Sequence, residues 1–352
     1  MRLRHRCVLR SLLLLLLLFL LLSALPFSVT LAQRRSLANT RPIVIDTDMA
    51  IDDWWAILSL FSQSTHPIIG IIVDGDGAAT CQAPHYYGAR NAAKLITLIN
   101  PKLRIPIVCG QVSQPQQAQY PKDFRQRSDH LLGLHLPLPA GTPIRSIRLS
   151  SDQLFTRLIH RYGAIDIVAL GTATNIAHFI HTQPRLSRQI KHITYMGGAI
   201  AVEGNLFGKI FAAYPHAEWN IFVAPHAFAQ LLRAPIPLTL VPLDLTNQYS
   251  ASIFDARYYV PHNAQQRFIQ QTLQRYYSKI QQQRVFYWDP VAAFVALHPE
   301  AIAYQKNMPL CVNTDTASHD YARLFACDST PRTQVVFALK PGSFRHFFMA
   351  YD

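Results

Sequence analysis

Pro42-Ile43-Val44-Ile45-Asp46-Thr47-Asp48-Met49-Ala50-Ile51-Asp52-Asp53 decides the reading of this chain. Its opening residues form an apolar, β-branched run of the kind found in a buried strand. Its remaining residues crowd four carboxylates into a turn. Directly afterwards Trp54, Ile57, Leu58 and Phe61 recur at helical spacing. A buried strand, an acidic turn and an amphipathic helix open a β–α unit.

The alternation continues outward. Ile68–Val73 reads as a second strand, ending in Asp74-Gly75-Asp76-Gly77. Residues 86–98 read as a helix and 105–108 as a short strand. Residues 110–145, rich in Pro, Gln and Gly, read as a long surface loop and a candidate lid. Further on, 154–162 is helical, 165–170 a strand, and Gly171-Thr172-Ala173-Thr174-Asn175 a turn opening the next helix. Strand 193–196 stops at Gly197-Gly198. Pro225–Arg233 is a helix, 236–243 a strand, 263–284 a long Gln-rich helix and 289–297 another helix. Residues 310–339 alternate like antiparallel strands. The expected fold is therefore α/β: a Rossmann-like open, mostly parallel sheet flanked by helices, with C-terminal antiparallel strands. In such folds ligands sit outside the carboxyl ends of the strands, where the acidic and Gly-rich segments fall.

The N-terminus stands apart. Arg2, Arg4, Arg6 and Arg10 precede the apolar run from Leu12 to Leu22, and small residues follow up to Ala32. This pattern makes residues 1–32 a secretory signal, or an uncleaved N-terminal anchor, with 33–40 a tether. The chain carries 33 basic and 20 acidic residues; without the four leader arginines, 29 basic residues remain and the net charge is +9. These are scattered and form no nucleic-acid-binding motif, so no nucleic-acid partner is expected. Cys81, Cys109, Cys311 and Cys327 follow the leader, an even number without a CxxC pair. In an oxidising compartment they suggest disulfides, with the local pairings Cys81–Cys109 and Cys311–Cys327 favoured.

Helix capping accounts for Asp52 and can account for Asp53. It does not account for Asp46 and Asp48 as well. Four clustered carboxylates repel unless a positive group sits among them. No Lys or Arg occurs between Arg41 and Arg90. A hard cation held by oxygen ligands resolves the conflict, and such a cation can activate a water while a neighbouring carboxylate takes its proton.

The segment Asp46–Asp53 resembles the DxDxxxDD signature of the nucleoside hydrolases. Further matches follow in that family's order. Gly171–Asn175 resembles its GPLTN turn, and Met196-Gly197-Gly198 its MGG. Gly204-Asn205 and Ala217-Glu218-Trp219-Asn220 resemble its GN and AEFN. Leu243-Asp244-Leu245-Thr246 resembles its LDVT, and Trp288-Asp289-Pro290 its HDP. The resemblance makes 41–352 a nucleoside hydrolase-like domain. It implies calcium-dependent hydrolysis of the N-glycosidic bond of ribonucleosides, giving free base and ribose. Asp48, Asp53 and Asp289 would ligate Ca2+ by side chain and Thr174 by its main-chain carbonyl. Asp48 would also be the general base, and Asp46 would steady the cluster from behind. Asp52, Asp76, Met196, Asn205, Glu218, Asn220 and Trp288 would bind substrate. The implied partner is a small ribonucleoside, with no membrane contact beyond the leader; a homo-oligomer stays open.

Two residues depart from the pattern. Asp76 stands where many members carry Asn. Trp288 stands where several carry the His implicated in protonating the leaving base, and an indole donates but cannot act as an acid. Tyr276, Tyr277, Tyr287 and His216 are alternative acids. A hydrolase of another ribosyl compound and an exported, non-catalytic ribose- or nucleoside-binding protein remain as alternatives. A DxD phosphatase would need Asp46 as nucleophile and a facing Lys, and no such Lys is evident.

Overall fold

In the computed structural model the strand β1 (Ile43–Thr47) carries the acidic turn at its carboxyl end, and helix α1 (Ile51–Gln63) leaves it directly. Residues 40–75, 77–112, 120–138, 149–252, 260–280 and 284–344 are described. The leader, the tether up to residue 39, Asp76 and parts of the 110–145 segment lie outside them. Two units are distinguished. Pro42–Ser64 with Ile68–Asp352 carries the whole sheet. In the other, His66 Nδ1 donates to the Arg41 carbonyl at 2.9 Å.

After α1 the chain runs through β2 (Ile68–Val73), α2 (Tyr87–Ile99), β3 (Ile107–Cys109), α3 (Lys122–Asp129) and α4 (Ser151–Tyr162). There follow β4 (Ile165–Ala169), α5 (Thr174–Thr182), β5 (Ile190–Met196), α6 (Gly208–Ala213), α7 (Trp219–Val223), α8 (Pro225–Arg233), β6 (Leu238–Val241) and α9 (Leu243–Thr246). The last elements are β7 (Ser250–Ser252), α10 (Ala264–Ile280), β8 (Arg284–Phe286), α11 (Trp288–Leu297), β9 (Ile302–Val312), β10 (Leu324–Ala326) and β11 (Arg332–Leu339).

Among the described residues nine strands form one sheet in the order β10-β9-β11-β6-β5-β4-β1-β2-β3, while β7 and β8 pair separately. From β3 to β11 neighbours are parallel; β9 alone runs the other way, pairing antiparallel with β11 and with β10. The expected α/β fold is therefore observed. At the end of the chain β11 pairs antiparallel with β9, as expected, and also parallel with β6, which joins the C-terminal strands to the main sheet. One correction concerns residues 110–145, read as loop, which contain α3. That helix buries only Ser128 and shows no apolar stripe. It is held instead by Asp129, which accepts from Thr80 N at 2.6 Å and Thr80 Oγ1 at 2.9 Å.

Alternate strand residues feed two cores, as the period of a strand dictates. Ile43 and Ile45 join Trp54, Trp55, Ile57 and Leu58 of α1 and Val291 of α11 on one face. Val44 joins Phe155 and Leu158 of α4 on the other. Each large side chain fully buried in this way stabilises the fold by roughly 1.5–3 kcal/mol. Buried indoles need partners: Trp54 Nε1 donates to the Met49 carbonyl at 3.1 Å, and Trp55 Nε1 to Thr272 Oγ1 of α10 at 2.8 Å. Both favoured disulfides are present, Cys81–Cys109 with a Cα–Cα distance of 5.3 Å and Cys311–Cys327 with 5.7 Å. Among the described residues no helix is long and apolar enough to cross a membrane.

The strand order changes direction at β1. The chain builds β2 and β3 on one side of it, then returns to lay β4, β5 and β6 on the other. The turns after β1 and β4 thus diverge, and the crevice between them is where an open α/β sheet receives its ligand.

Candidate active site

The turn after β1 is shaped by its own backbone. Met49 adopts the left-handed region at φ 61°, which costs a non-glycine residue roughly 1–2 kcal/mol. Its N–H bonds Thr47 Oγ1 at 3.0 Å and its side chain is fully buried, so packing holds the strained conformation. The kink lets the chain present Asp48 and then start α1 with Asp52 and Asp53 in its first turn, where the helix N-terminus favours anions. Two glycines press on this turn. A Cβ on Gly77 would lie 2.7 Å from the Asp48 carbonyl oxygen, and one on Gly171 would lie 2.4 Å from Asp74 Oδ2 and 2.7 Å from Asp48 N.

A cavity of about 350 Å3 opens at the switch point, lined by Asp48, Asp52, Asp53, Asn205, Glu218, Asn220 and Asp289 among others. One carboxylate oxygen each from Asp52, Asp53 and Asp289 lies within 4.8 Å of the other two. Asp289 arrives in the first turn of α11, which packs against α1. Asp48 Oδ1 accepts from Ala50 N at 2.8 Å, and its Oδ2 accepts from the Tyr120 hydroxyl. Thr47 Oγ1 donates to Asp53 Oδ1, while Asp53 Oδ2 is buried with no hydrogen-bond partner.

Burial makes these charges costly. It raises Asp53 and Asp289 well above the usual carboxylate range; the Asp48 charge adds to the rise at Asp53, and the Asp53 charge to the rise at Asp289. Burial followed by the Asp48 charge pushes Asp52 up to about 7. Burial also raises Asp48, partly offset by hydrogen bonds. Glu218 is pushed up to about 7 by burial, although the N–H groups of Asn220, Gly198 and Ile221 work against the shift. Such a group cannot be fully ionised near neutral pH without a positive partner. No Lys or Arg lines the cavity. All donors are hard oxygens, and one of them is an orphan. The residues therefore fit a hard divalent cation.

The residues expected to face the substrate come from the far side of β4. Asn205 Oδ1 accepts from Trp219 N at 2.9 Å, and Asn220 Nδ2 donates to the carbonyls of Leu170 at 2.9 Å and Met196 at 3.1 Å. With those atoms engaged, Asn205 offers its Nδ2 and Asn220 its Oδ1 to a ligand. Glu218 caps α7 by accepting from Asn220 N and Ile221 N. Met196 and Trp288 also line the cavity. Trp288 stacks on Phe286, ring centroids 5.5 Å apart, and its Nε1 donates to Asn247 Oδ1 at 2.8 Å.

Asp46 stands behind the cavity. Its Oδ1 accepts from Asn175 Nδ2 at 2.9 Å, and the same amide nitrogen donates to Asp74 Oδ1 at 2.7 Å. Thr174 is not among the residues lining the cavity. It begins α5 and lines a second cleft instead, because the Gly171–Ala173 turn carries the chain away from the strand end. The residue of that turn region that does line the cavity is Leu170. Asp76 lies outside the described residues. Of the alternative acids, none lines the cavity; Tyr277 donates to the Ala251 carbonyl at 2.6 Å, and burial pushes Tyr276 up to about 12.

Sequence reasoning missed an aromatic wall. Tyr120 stacks between Trp219 at 4.8 Å and Phe124 at 5.5 Å, and all three line the cavity. Trp219 Nε1 is buried with no hydrogen-bond partner.

Comparison with known proteins agrees with this geometry. Residues 43–345 match the family model described as inosine-uridine preferring nucleoside hydrolase. A pyrimidine-specific ribonucleoside hydrolase, RihA, of Shewanella woodyi is 32% identical over 59% of this chain and 62% of its own length. The chain spans about 62% of the length of these Shewanella relatives. A probable uridine nucleosidase 1 of Oryza sativa subsp. japonica is 26% identical over 76% of this chain and 79% of its own. Among solved structures, the plant nucleoside hydrolase PpNRh1 superposes with a TM-score of 0.72 at 19% identity, covering 88% of this chain and 99% of that one. This last likeness shows the fold.

Proposed function

This chain belongs to the inosine-uridine preferring nucleoside hydrolase family, and from that footing we propose that it is a calcium-dependent N-ribosyl hydrolase releasing the base from ribonucleosides. The observation that carries the reading is the Asp52, Asp53 and Asp289 cluster beside Asp48, facing Asn205, Glu218 and Asn220 across one cavity. Asp48, Asp53 and Asp289 would hold the cation, with the Leu170 carbonyl as the main-chain oxygen in place of Thr174. When bound, such a cation lowers the pKa of a coordinated water and clamps ribose hydroxyls.

The protein's own groups do the rest. Asp48 takes the proton of the attacking water, oriented by the Ala50 N–H and the Tyr120 hydroxyl. Asp52, Asn205 Nδ2 and Asn220 Oδ1 bond the ribose hydroxyls. Cleavage builds positive charge on the sugar, and Glu218 with the aspartates stabilises it in a water-poor site. The leaving base lies against the aromatic wall, with Trp288 as a stacking surface. Since an indole cannot protonate it, substrates whose bases leave readily are favoured. Residues 1–32 would direct export, and two disulfides suit an oxidising compartment.

The test is base release from a panel of purine and pyrimidine ribonucleosides, followed chromatographically with calcium, with chelator, and with Asp48→Asn. Release that requires both calcium and Asp48 supports the hydrolase. Tight nucleoside binding without release would instead support a binding protein, the reading that Trp288 keeps open. Trp288→Ala is expected to raise KM roughly tenfold if stacking holds the base.

A further inference from the structure

We propose that the Cys81–Cys109 disulfide positions the active site: through residues 79–82 it fixes Asp48 and the Tyr120 hydroxyl, so that a dithiol cutting this one bond slows turnover and leaves the fold standing. Only the kinetic consequence rests on the hydrolase reading. The bridge joins the segment after β2 to the end of β3. Residues 77–86 form no helix or strand, and 82–85 are exposed. A segment without regular backbone pairing takes its course from the contacts it makes with its surroundings.

Those contacts lead to the site from three adjacent residues. Ala79 N donates to the Asp48 carbonyl at 3.0 Å. Thr80 N and Oγ1 hold the Asp129 carboxylate at the end of α3, at 2.6 and 2.9 Å. The Thr80 carbonyl accepts from Gly88 N, in the first turn of α2, at 3.0 Å. Cys81 is then bonded to Cys109. Because α3 buries only Ser128, polar bonds secure its carboxyl end: those from Thr80, and those from Asn91 Nδ2 to the carbonyls of Ser128 at 3.1 Å and Asp129 at 2.9 Å. Just before that helix stands Tyr120, whose hydroxyl donates to Asp48 Oδ2. Asp48 is thus held at its carbonyl by Ala79 and at its carboxylate by Tyr120, and both holds run through residues beside Cys81.

The Cys109 half of the bridge reaches the same turn from the other side. Gly110 N donates to the Val73 carbonyl at 2.6 Å and Gln111 N to Asn175 Oδ1 at 2.7 Å. Asn175 Nδ2 in turn bonds Asp46 and Asp74. Gly75 N donates to the Gln111 carbonyl at 2.9 Å, and Gln82 Nε2 to the Gly75 carbonyl at 3.0 Å, which ties the two halves together again. A cross-link between residues 28 apart removes freedom that weak contacts alone would have to restrain. Once it is cut, 77–86 can shift, and a displacement of about 1 Å at a catalytic group costs a large part of a rate. The second bridge is placed differently. Cys311 lies on β9 opposite Phe325 of β10, and Cys327 N bonds the Pro309 carbonyl at 3.2 Å, at the outer edge of the sheet. Neither of these cysteines lines the cavity.

The test uses the full chain carrying Cys311→Ser and Cys327→Ser, which leaves Cys81–Cys109 to be reduced alone. Dithiothreitol gives two electrons and two protons to that bond, forming two thiols and its own cyclic disulfide. Base release is measured with calcium before and after reduction. The stack of Tyr120 on Trp219 is followed separately, as the part of the near-ultraviolet circular dichroism that Tyr120→Phe removes. On reduction kcat should fall roughly tenfold with KM within about twofold. The stack signal should be lost, the far-ultraviolet signal kept, and reoxidation should restore the parent. Tyr120→Phe should cost less in the reduced chain than in the oxidised one, because both changes act on one carboxylate. A kcat or a stack signal left unchanged by reduction overturns the proposal, as does an equal cost of Tyr120→Phe in both states. Loss of the far-ultraviolet signal also overturns it, since the bridge would then hold the whole fold. Absence of base release from the oxidised chain refutes the hydrolase reading instead, and the stack signal then decides the role of the bridge.

Discussion

Asp46→Asn should stabilise the cation-free protein at alkaline pH and leave it unchanged in mild acid. Asp46 is fully buried, and burial pushes its pKa from 3.8 up to about 7. The sign follows from linkage. Between those two values the folded chain holds a proton that the unfolded chain has released, so stability falls as pH rises. The penalty is complete above about pH 7 and absent below about pH 4. A shift of some three units corresponds to a ceiling of roughly 4 kcal/mol, at about 1.4 kcal/mol per unit. Asn keeps the acceptor for Asn175 Nδ2 and places an amide where Oδ2 has no partner. Part of the gain is lost to imperfect hydrogen bonds, leaving an expected 1–3 kcal/mol at pH 8 (order of magnitude). The assay is urea unfolding of chelated protein, disulfides intact, at pH 8 and pH 4.5. A difference between variant and parent that is the same at both pH values, or destabilisation at pH 8, would refute the electrostatic argument.

Other expectations follow from the same site. Calcium should raise the thermal midpoint of the parent, and Asp289→Asn should lose most of that response while the cation-free fold becomes no less stable above pH 7, because Asp289 is a buried charge repelled by Asp53. Tyr120→Phe removes a hydrogen bond that favours ionised Asp48, so the acid limb of the pH–rate profile should move to higher pH; an unmoved limb would show that Tyr120 only packs. Gly171→Ala should cost about 1–3 kcal/mol by urea unfolding, since its Cβ would sit 2.4 Å from Asp74 Oδ2.

Much of this architecture could be read locally. The run from Pro42 to Asp53 carries strand, turn and helix in sequence, and its crowded carboxylates announce a cation without reference to distant residues. Asn205, Glu218 and Asn220 were picked out through their resemblance to a family pattern. What escaped was decided by tertiary placement. Tyr120 sits in a Gln- and Pro-rich segment with no periodicity, and only the packing of Phe124 and Trp219 around it brings its hydroxyl to Asp48. A turn of several residues offers several carbonyls, and the backbone path, not the residue type, sets Leu170 rather than Thr174 on the cavity. The parallel pairing of β11 with β6 joins segments that local alternation cannot relate.

Asp53 and Asp289 come from opposite ends of the chain, the first from α1 and the second from α11. A nascent chain leaving the ribosome therefore displays Asp48, Asp52 and Asp53 long before the carboxylate that completes their cluster exists. Until α11 docks on α1, any ion they meet is held by an incomplete set of ligands and exchanges freely. On the proposed reading, the cation is therefore selected only once α11 has docked on α1.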